Sequence, residues 1–436
     1  MPDTLDSKIR PIVFAIVEAG PPPPPFTDVE AHTTDPRRGA PTPRRTATRP
    51  VIAGLAALAV IVGGLLLWSL TRTQPDNRSV RSGPATTLGS VPHIGSGWSK
   101  EATFDGQVFA VATSGDRQVA VGYGIWSTSD GHTWTPATIP GYGSGLDGSV
   151  VNDVVAHDGR FVAVGTGSDQ QAAIWNSTDG TNWTRSHSAA LQPPAPTVPQ
   201  GVIMNRSSVS SIAYTTHGFV AVGRVLQGGY GPLVWNSSDG THWRQVAGPR
   251  ELQRSGPADG GLRAITARGS TVLVAGQRTI WRTNDLKHWH AAVIDTANLT
   301  TLAVQHRAVL AAGTSGTGPD GSPTIWRSTD LTHWEKTYEG GSAPVTNITK
   351  LVPSSTSVLA LGYSGDQEVS TPGLLLESHG GRDWTPAEPS LPAPTQPTAG
   401  TLDDGTFLIV VNETRTESRP PDGTLYIPAV GIYTSR

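Results

Sequence analysis

The stretch IWSTSDGHTW at 125–134 returns five times along the chain, as IWNSTDGTNW at 174–183, VWNSSDGTHW at 234–243, IWRTNDLKHW at 280–289, IWRSTDLTHW at 325–334 and LLESHGGRDW at 375–384. Five of these six boxes carry two tryptophans eight residues apart, and the last keeps only Trp384, with Leu376 at the first place. Together they use eleven of the chain's 13 tryptophans. The second tryptophans, Trp134, Trp183, Trp243, Trp289, Trp334 and Trp384, follow one another at intervals of 45 to 60 residues. That is the period of a propeller blade, whereas helical solenoid repeats are mostly shorter and lack so β-rich a pattern.

Upstream of each box stands a short apolar run closed by glycine: QVAVGYG at 118, FVAVGTG at 161, FVAVGRV at 219, VLVAGQR at 272, VLAAGTS at 309 and VLALGYS at 358. Their β-branched, unbroken character fits buried inner strands. A further strand precedes each of them, as in VNDVVAH at 151 or LTTLAVQ at 299, and another follows each box. Every repeat thus supplies four antiparallel strands, and no helical period of useful length follows residue 71.

Two remnants flank the six repeats. TLDDGTFLIVVNE at 401 and GTLYIPAVGIYTSR at 423 make three strands without a box tryptophan, while GSGWSKEATF at 95 places Trp98 ahead of the first repeat as the second half of a box. The expected fold is therefore all-β: a seven-bladed β-propeller over residues 96–436, its last blade closed by an N-terminal outer strand. Six blades with a loose tail is the competing count.

Ahead of the repeats, VIAGLAALAVIVGGLLLWSL at 51–70 runs for twenty residues without a charge. At about 1.5 Å per residue it spans roughly 30 Å, a bilayer's hydrocarbon thickness, and is expected to be a single transmembrane helix. Arg37, Arg38, Arg44, Arg45 and Arg49 precede it, against Arg72, Arg78 and Arg81 beyond it, which places the N-terminus in the cytoplasm and the propeller outside. Residues 1–50, with five consecutive prolines at 21–25, read as a disordered cytoplasmic tail, whose first 36 residues offer a docking segment for a cytoplasmic partner. Residues 71–95 read as a Ser/Thr/Gly/Pro-rich extracytoplasmic linker. Arginine outnumbers lysine 27 to 5, a bias of high-GC bacterial genomes.

Composition narrows the chemistry. With no cysteine among 436 residues there is neither a disulfide frame nor a thiolate nucleophile or ligand. After residue 50 the chain carries 25 basic and 29 acidic residues, so electrostatic capture of nucleic acid is not expected. No metal-binding spacing or phosphate loop appears, and no cofactor is expected.

The boxes resemble the Asp-box, or bacterial neuraminidase repeat, Ser-x-Asp-x-Gly-x-Thr-Trp. In the first repeat Ser127, Gly131, Thr133 and Trp134 match, while the aspartate falls one residue late, at Asp130; Asp179, Asp239, Asp285 and Asp330 are shifted likewise. The carboxylates and the glycines Gly131, Gly180 and Gly240 are expected to hold tight turns, and the tryptophans to pack between blades. Leu286 and Leu331 replace the glycine in two boxes, where the backbone is expected to stay right-handed.

The resemblance implies that these turns join third and fourth strands, on the face opposite the ligand site. Candidate ligand residues then fall on the other loops, at 139–148, 167–171, 188–206, 224–231, 247–260, 314–323, 363–371 and 412–423. Those chosen are Tyr142, Asp147, Arg224, Tyr230, Arg250, Arg254, Arg263, Tyr363, Asp366 and Glu368. A sialidase-type hydrolase would need three arginines, a tyrosine paired with a glutamate, and an acid/base aspartate. Arg224, Arg263 and Arg278 are candidates for the first, but no Tyr/Glu pairing is visible and the Phe/Tyr-Arg-Ile-Pro motif of sialidases is absent. The reading is a membrane-anchored binding scaffold for a protein or cell-envelope glycan. Its competitors are a tethered glycoside hydrolase and a transmembrane sensor with the tail as output.

Overall fold

A computed structural model describes residues 98–138, 149–191, 207–225, 231–253, 260–294, 297–316, 321–341, 347–363, 374–387, 396–402, 406–419 and 423–435. The expected tail, membrane span and linker lie outside these residues. Among the described residues no helix is long and apolar enough to cross a membrane.

Seven four-stranded antiparallel sheets form the ring. Blade one runs Val108–Ser114, Arg117–Gly122, Ile125–Thr128 and Thr135–Pro136. Blades two to six begin at Val150–His157, Ser207–Thr215, Ala264–Arg268, Ala297–Gln305 and Asn347–Pro353. Blade seven is composite: Gln396–Thr401, Phe407–Arg419 and Gly423–Ser435 are joined on the outside by Trp98–Asp105, so that the first and last strands of the propeller close the ring as expected.

The first strand of each blade packs on the first strands of its neighbours and lines the axis. The apolar runs closed by glycine are second strands, one layer further out than expected. The reason is packing: a second strand is covered on both faces by adjoining blades and so reads as an unbroken apolar run, as in Arg160–Thr166. The innermost strand, covered less on its axial side, alternates, as in Val150–His157.

Seven apolar clusters wedge between neighbouring blades. Each contains the box tryptophan or tryptophans of one blade, with Trp98 in the cluster between blades six and seven. Trp175, Trp183, Trp235 and Trp281 are among the largest fully buried side chains. Burying about 150–250 Å² per aromatic ring at each joint is the main apolar gain holding the blades together.

The closing glycine of the second strand has a backbone reason. In blades one, two, three, five and six the first strand bulges at one place, between Val108 and Ala110, Val151 and Asp153, Val209 and Ser211, Leu299 and Thr301, and Ile348 and Lys350. The residue opposite is Gly122, Gly165, Gly223, Gly313 or Gly362, where a Cβ would lie 1.9–2.3 Å from a first-strand carbonyl oxygen. Blade seven has no such bulge and carries Val411 at that place; the next residue, Asn412, bonds both Val108 N (2.8 Å) and Val108 O (2.7 Å) of blade one through its side-chain amide.

Candidate functional site

The two ends of the ring are built differently. At one end lie the box turns and the short turns between first and second strands. In the first box Asp130 Oδ1 accepts the N–H groups of His132 (2.9 Å) and Thr133 (2.7 Å) and the Thr128 hydroxyl (2.8 Å), while Thr128 Oγ1 accepts the N–H of Gly131 (3.0 Å). The hydroxyl of this turn is that of Thr128; Ser127 is buried one residue earlier, 3.4 Å from the Thr181 hydroxyl. The same set stands on Asp179 with Ser177, Asp239 with Ser237, Asp285 with Thr283 and Asp330 with Ser328. The hydroxyl-x-aspartate unit and the residue after it form the turn, so the one-residue shift of the aspartate carries its hydroxyl with it.

Leu286 and Leu331 are left-handed, at φ 59° and 67°, like Gly131 at 74° and Gly180 at 70°. This overturns the expected right-handed backbone. Each leucine N–H bonds the box hydroxyl as a glycine does, and each side chain is buried in the interblade cluster, which offsets the left-handed cost of about 1–2 kcal/mol. Trp134, Trp183 and Trp243 donate Nε1 to the carbonyl of the turn glycine, at 3.0–3.3 Å. The buried Nε1 atoms of Trp289 and Trp334, in the leucine turns, have no partner.

At the other end the connections are long and unequal. Two of them, within 188–206 and 247–260, contain helical turns rather than plain loop, Ala189–Leu191 and Pro249–Gln253. Their buried Leu191 and Leu252 enter interblade clusters, and the carbonyls of Ala190 and Leu252 accept the indole N–H of Trp235 (2.8 Å) and Trp281 (3.1 Å). The segment 412–423 is not a loop either. Phe407–Arg419 and Gly423–Ser435 stay paired out to Arg419 and Gly423, past the last pairs that the flanking strands Gln396–Thr401 and Trp98–Asp105 make with them, at Asn412 and Ala429. A two-stranded ribbon therefore projects from this face.

Of the candidate ligand residues, Tyr142, Asp147, Tyr230, Arg254, Asp366 and Glu368 lie outside the described residues. Tyr363 ends the second strand of blade six opposite Asn347. Arg250 is exposed on its helical turn. Arg224 and Arg263 are brought together. Leu262 N bonds Gly223 O (3.1 Å), and Gly261 lies so close to Arg224 that an added Cβ would sit 2.2 Å from its Cβ. This lays the start of blade four across the end of Gly218–Val225. Arg263 Nη1 then donates to Asn298 Oδ1 of blade five at 2.7 Å. Burial, and next the charge of Arg224, hold the Arg263 guanidinium below the usual arginine range. Two neighbouring guanidinium groups can take a carboxylate or phosphate through charge-assisted, bidentate bonds.

Asp153, Lys350, Asn298 and Asn412 were missed by the sequence reading. Asp153 Oδ2 accepts the Ser211 hydroxyl (2.6 Å) and the N–H of Ile212 (3.1 Å) from blade three, which binds two blades at the axis. Its signal was available, as a lone charge inside the run VNDVVAH.

No family model matches the chain, and no curated protein matches it. Among solved structures it is similar in fold to a chain of the mitotic checkpoint complex, with 12% identity, 79% of this chain and 98% of that chain covered and a TM-score of 0.47. A putative 6-phosphogluconolactonase from Bacteroides fragilis is similar at 9% identity, covering 67% and 84%, with a TM-score of 0.43. BamB from Moraxella catarrhalis is similar at 11% identity, covering 75% and 85%, with a TM-score of 0.37. The class defined by the strand order is thus the seven-bladed β-propeller.

Proposed function

We propose that the protein is a membrane-anchored, extracytoplasmic propeller of the Asp-box type, a scaffold that binds an anionic group of a protein or cell-envelope glycan on its loop face. The observation that carries this reading is the pairing of Arg224 with Arg263. Two neighbouring guanidinium groups offer charge-assisted, bidentate bonds to a carboxylate or phosphate, and here they stand at strand ends on the face whose connections are long and unequal, where binding usually resides. The repeated hydroxyl-x-aspartate turns support the Asp-box kinship. The apolar segment 51–70 and its arginine bias support the anchor, with residues 1–36 left inside for a cytoplasmic partner.

The test is capture from cell-envelope fractions by the purified full-length protein in detergent. A specific protein or glycan retained by the wild type and lost from the folded Arg224→Gln/Arg263→Gln variant supports the reading. Equal capture by both, or a protease-accessible N-terminus and a shielded propeller on intact cells, would reject it.

A further inference from the structure

On the opposite face, between the box turns of blades four and five, lies a pocket of about 240 Å³ whose wall includes Thr271, Arg282, Asn284, Asp285, His288 and His290. The repeat provides its own internal comparison. The residues that follow the two box tryptophans stand opposite each other on adjacent strands: Ser127 and Thr135, Asn176 and Thr184, Asn236 and Arg244, Arg282 and His290, Arg327 and Glu335, Glu377 and Thr385. Where an arginine occurs in blades three and five it faces an oxygen acceptor. Arg244 Nη2 donates to Asn236 Oδ1 at 3.1 Å, and Arg327 Nη1 to Glu335 Oε1 at 3.1 Å. Arg382, from the next box turn, reaches the same Glu335 oxygen at 2.9 Å.

Blade four keeps the arginine and replaces the acceptor by His290. A bond to the next box turn is kept: Arg282 Nη1 donates to Leu331 O at 2.9 Å, and Arg327 Nε donates to Gly380 O at 3.2 Å, one place earlier in its turn; Thr332 stands where blade six has Arg382. Among the described residues no carboxylate forms an ion pair with Arg282. Asp285, the acid in the pocket wall, is occupied by the Thr283 hydroxyl, the N–H groups of Lys287 and His288, and His288 Nδ1 at 2.6 Å. Thr271 donates to Asn284 Oδ1 at 2.7 Å, which leaves the Asn284 amide N–H groups at the rim.

We propose that this pocket binds a carboxylate-bearing ligand the size of one acidic sugar, its carboxylate meeting Arg282 as Glu335 meets Arg327 one blade on. The guanidinium fork matches a carboxylate, and the Asn284 amide matches a sugar hydroxyl. The volume lies below the roughly 300–1,000 Å³ of sites for drug-sized molecules, which fits a single such unit. The site is separate from the arginine pair of the loop face and does not depend on it.

Calorimetric titration of the full-length protein in detergent with glucuronate, glucose and inorganic phosphate tests it. Glucuronate is expected to bind saturably and glucose not at all. Arg282→Gln should weaken glucuronate at least tenfold. His290→Glu, which rebuilds the blade-five pair inside blade four, should abolish binding while leaving the melting temperature unchanged or higher. No saturation by glucuronate in the wild type, undiminished affinity in both variants, or tighter binding of phosphate than of glucuronate would overturn the assignment.

Discussion

Lys350 Nζ lies 3.6 Å from Asp153 Oδ1, and because the two residues stand on the innermost strands of blades six and two, their ion pair crosses the axis of the ring. Its two ends are unequally held. Asp153 also receives the Ser211 hydroxyl and the Ile212 N–H from blade three, whereas Lys350 contributes a partly exposed ammonium. Asp153→Ala is expected to cost about 2–3 kcal/mol, since the two blade-three donors and the N–H of Val154 lose their acceptor. Lys350→Met should cost no more than about 1 kcal/mol. Urea unfolding measures both, and equal losses would show that the cross-axis pair, not the joint between blades two and three, is what matters.

Gly165→Ala is expected to destabilise the ring by about 3 kcal/mol, since its Cβ would lie 1.9 Å from Val150 O and the bulged strand would have to move. Gly159→Ala is the control: nothing lies near the added methyl, and only the left-handed φ of 72° opposes it, at about 1 kcal/mol. Comparable melting temperatures for the two variants would contradict the assigned role of the bulge.

Leucine and glycine at the box turn should not be interchangeable in either direction. Leu286→Gly relieves a left-handed leucine but empties a buried site, for a net loss of about 2 kcal/mol. Gly180→Leu sets a side chain where Val119 Cγ2 already lies 2.9 Å from the position of a Cβ, and should be destabilising as well. A neutral result for either substitution in a thermal melt would mean that neighbouring blades repack freely around the turn.

The box carboxylates make stability pH-dependent. Asp130, Asp179, Asp285 and Asp330 are held well below the usual carboxylate range, first by the backbone N–H of Thr133, Asn182, His288 and His333 respectively. At Asp239 partial burial pushes upward and is outweighed by the hydrogen bonds of His242 and Thr241. A folded-state value below the unfolded one, about 3.9, contributes stability that is fully present above that value and is lost as pH falls through the folded one. The urea midpoint is therefore expected to change little from these groups between pH 7 and about 5 and to fall steeply below about 4. Asp179→Asn should lower the neutral midpoint and flatten the acid limb; an unchanged acid limb would remove the box aspartates as its cause.

The blade count was legible because each blade needs large aromatic wedges on one side, and the sequence spends its tryptophans there. Trp98 marked the seventh blade for the same reason, although its partners come from the far end of the chain. Other features depend on what the fold brings together. Thr128 and Ser127 are adjacent hydroxyls, and which one faces the turn is a matter of strand phase. Leu331 at positive φ contradicts local preference and is sustained by a tertiary cluster. The run ETRTESR at 413–419 is polar enough to read as loop, yet its threonines are residues that strands favour and its backbone is paired throughout with 423–429. Arg224 and Arg263 are distant in sequence and meet only because one blade begins across the end of another.

Closure by the N-terminal strand also sets an order of events. Glu101 and Thr434 are hydrogen-bonded at a separation of 333 residues, so of the propeller's strands the first to be made is the last to find its partner. Blades one to six can each form from contiguous chain as they are made, in the manner of nearest-neighbour repeats. The ring stays open until the final strand arrives. A chain that stops before the residues that pair with Trp98–Asp105 would keep raw sheet edges on both sides of the gap, exposed to proteases and to other open rings. The join between blade seven and its borrowed strand thus works as a check on the propeller, passed only by chains that contain both Trp98–Asp105 and Gly423–Ser435.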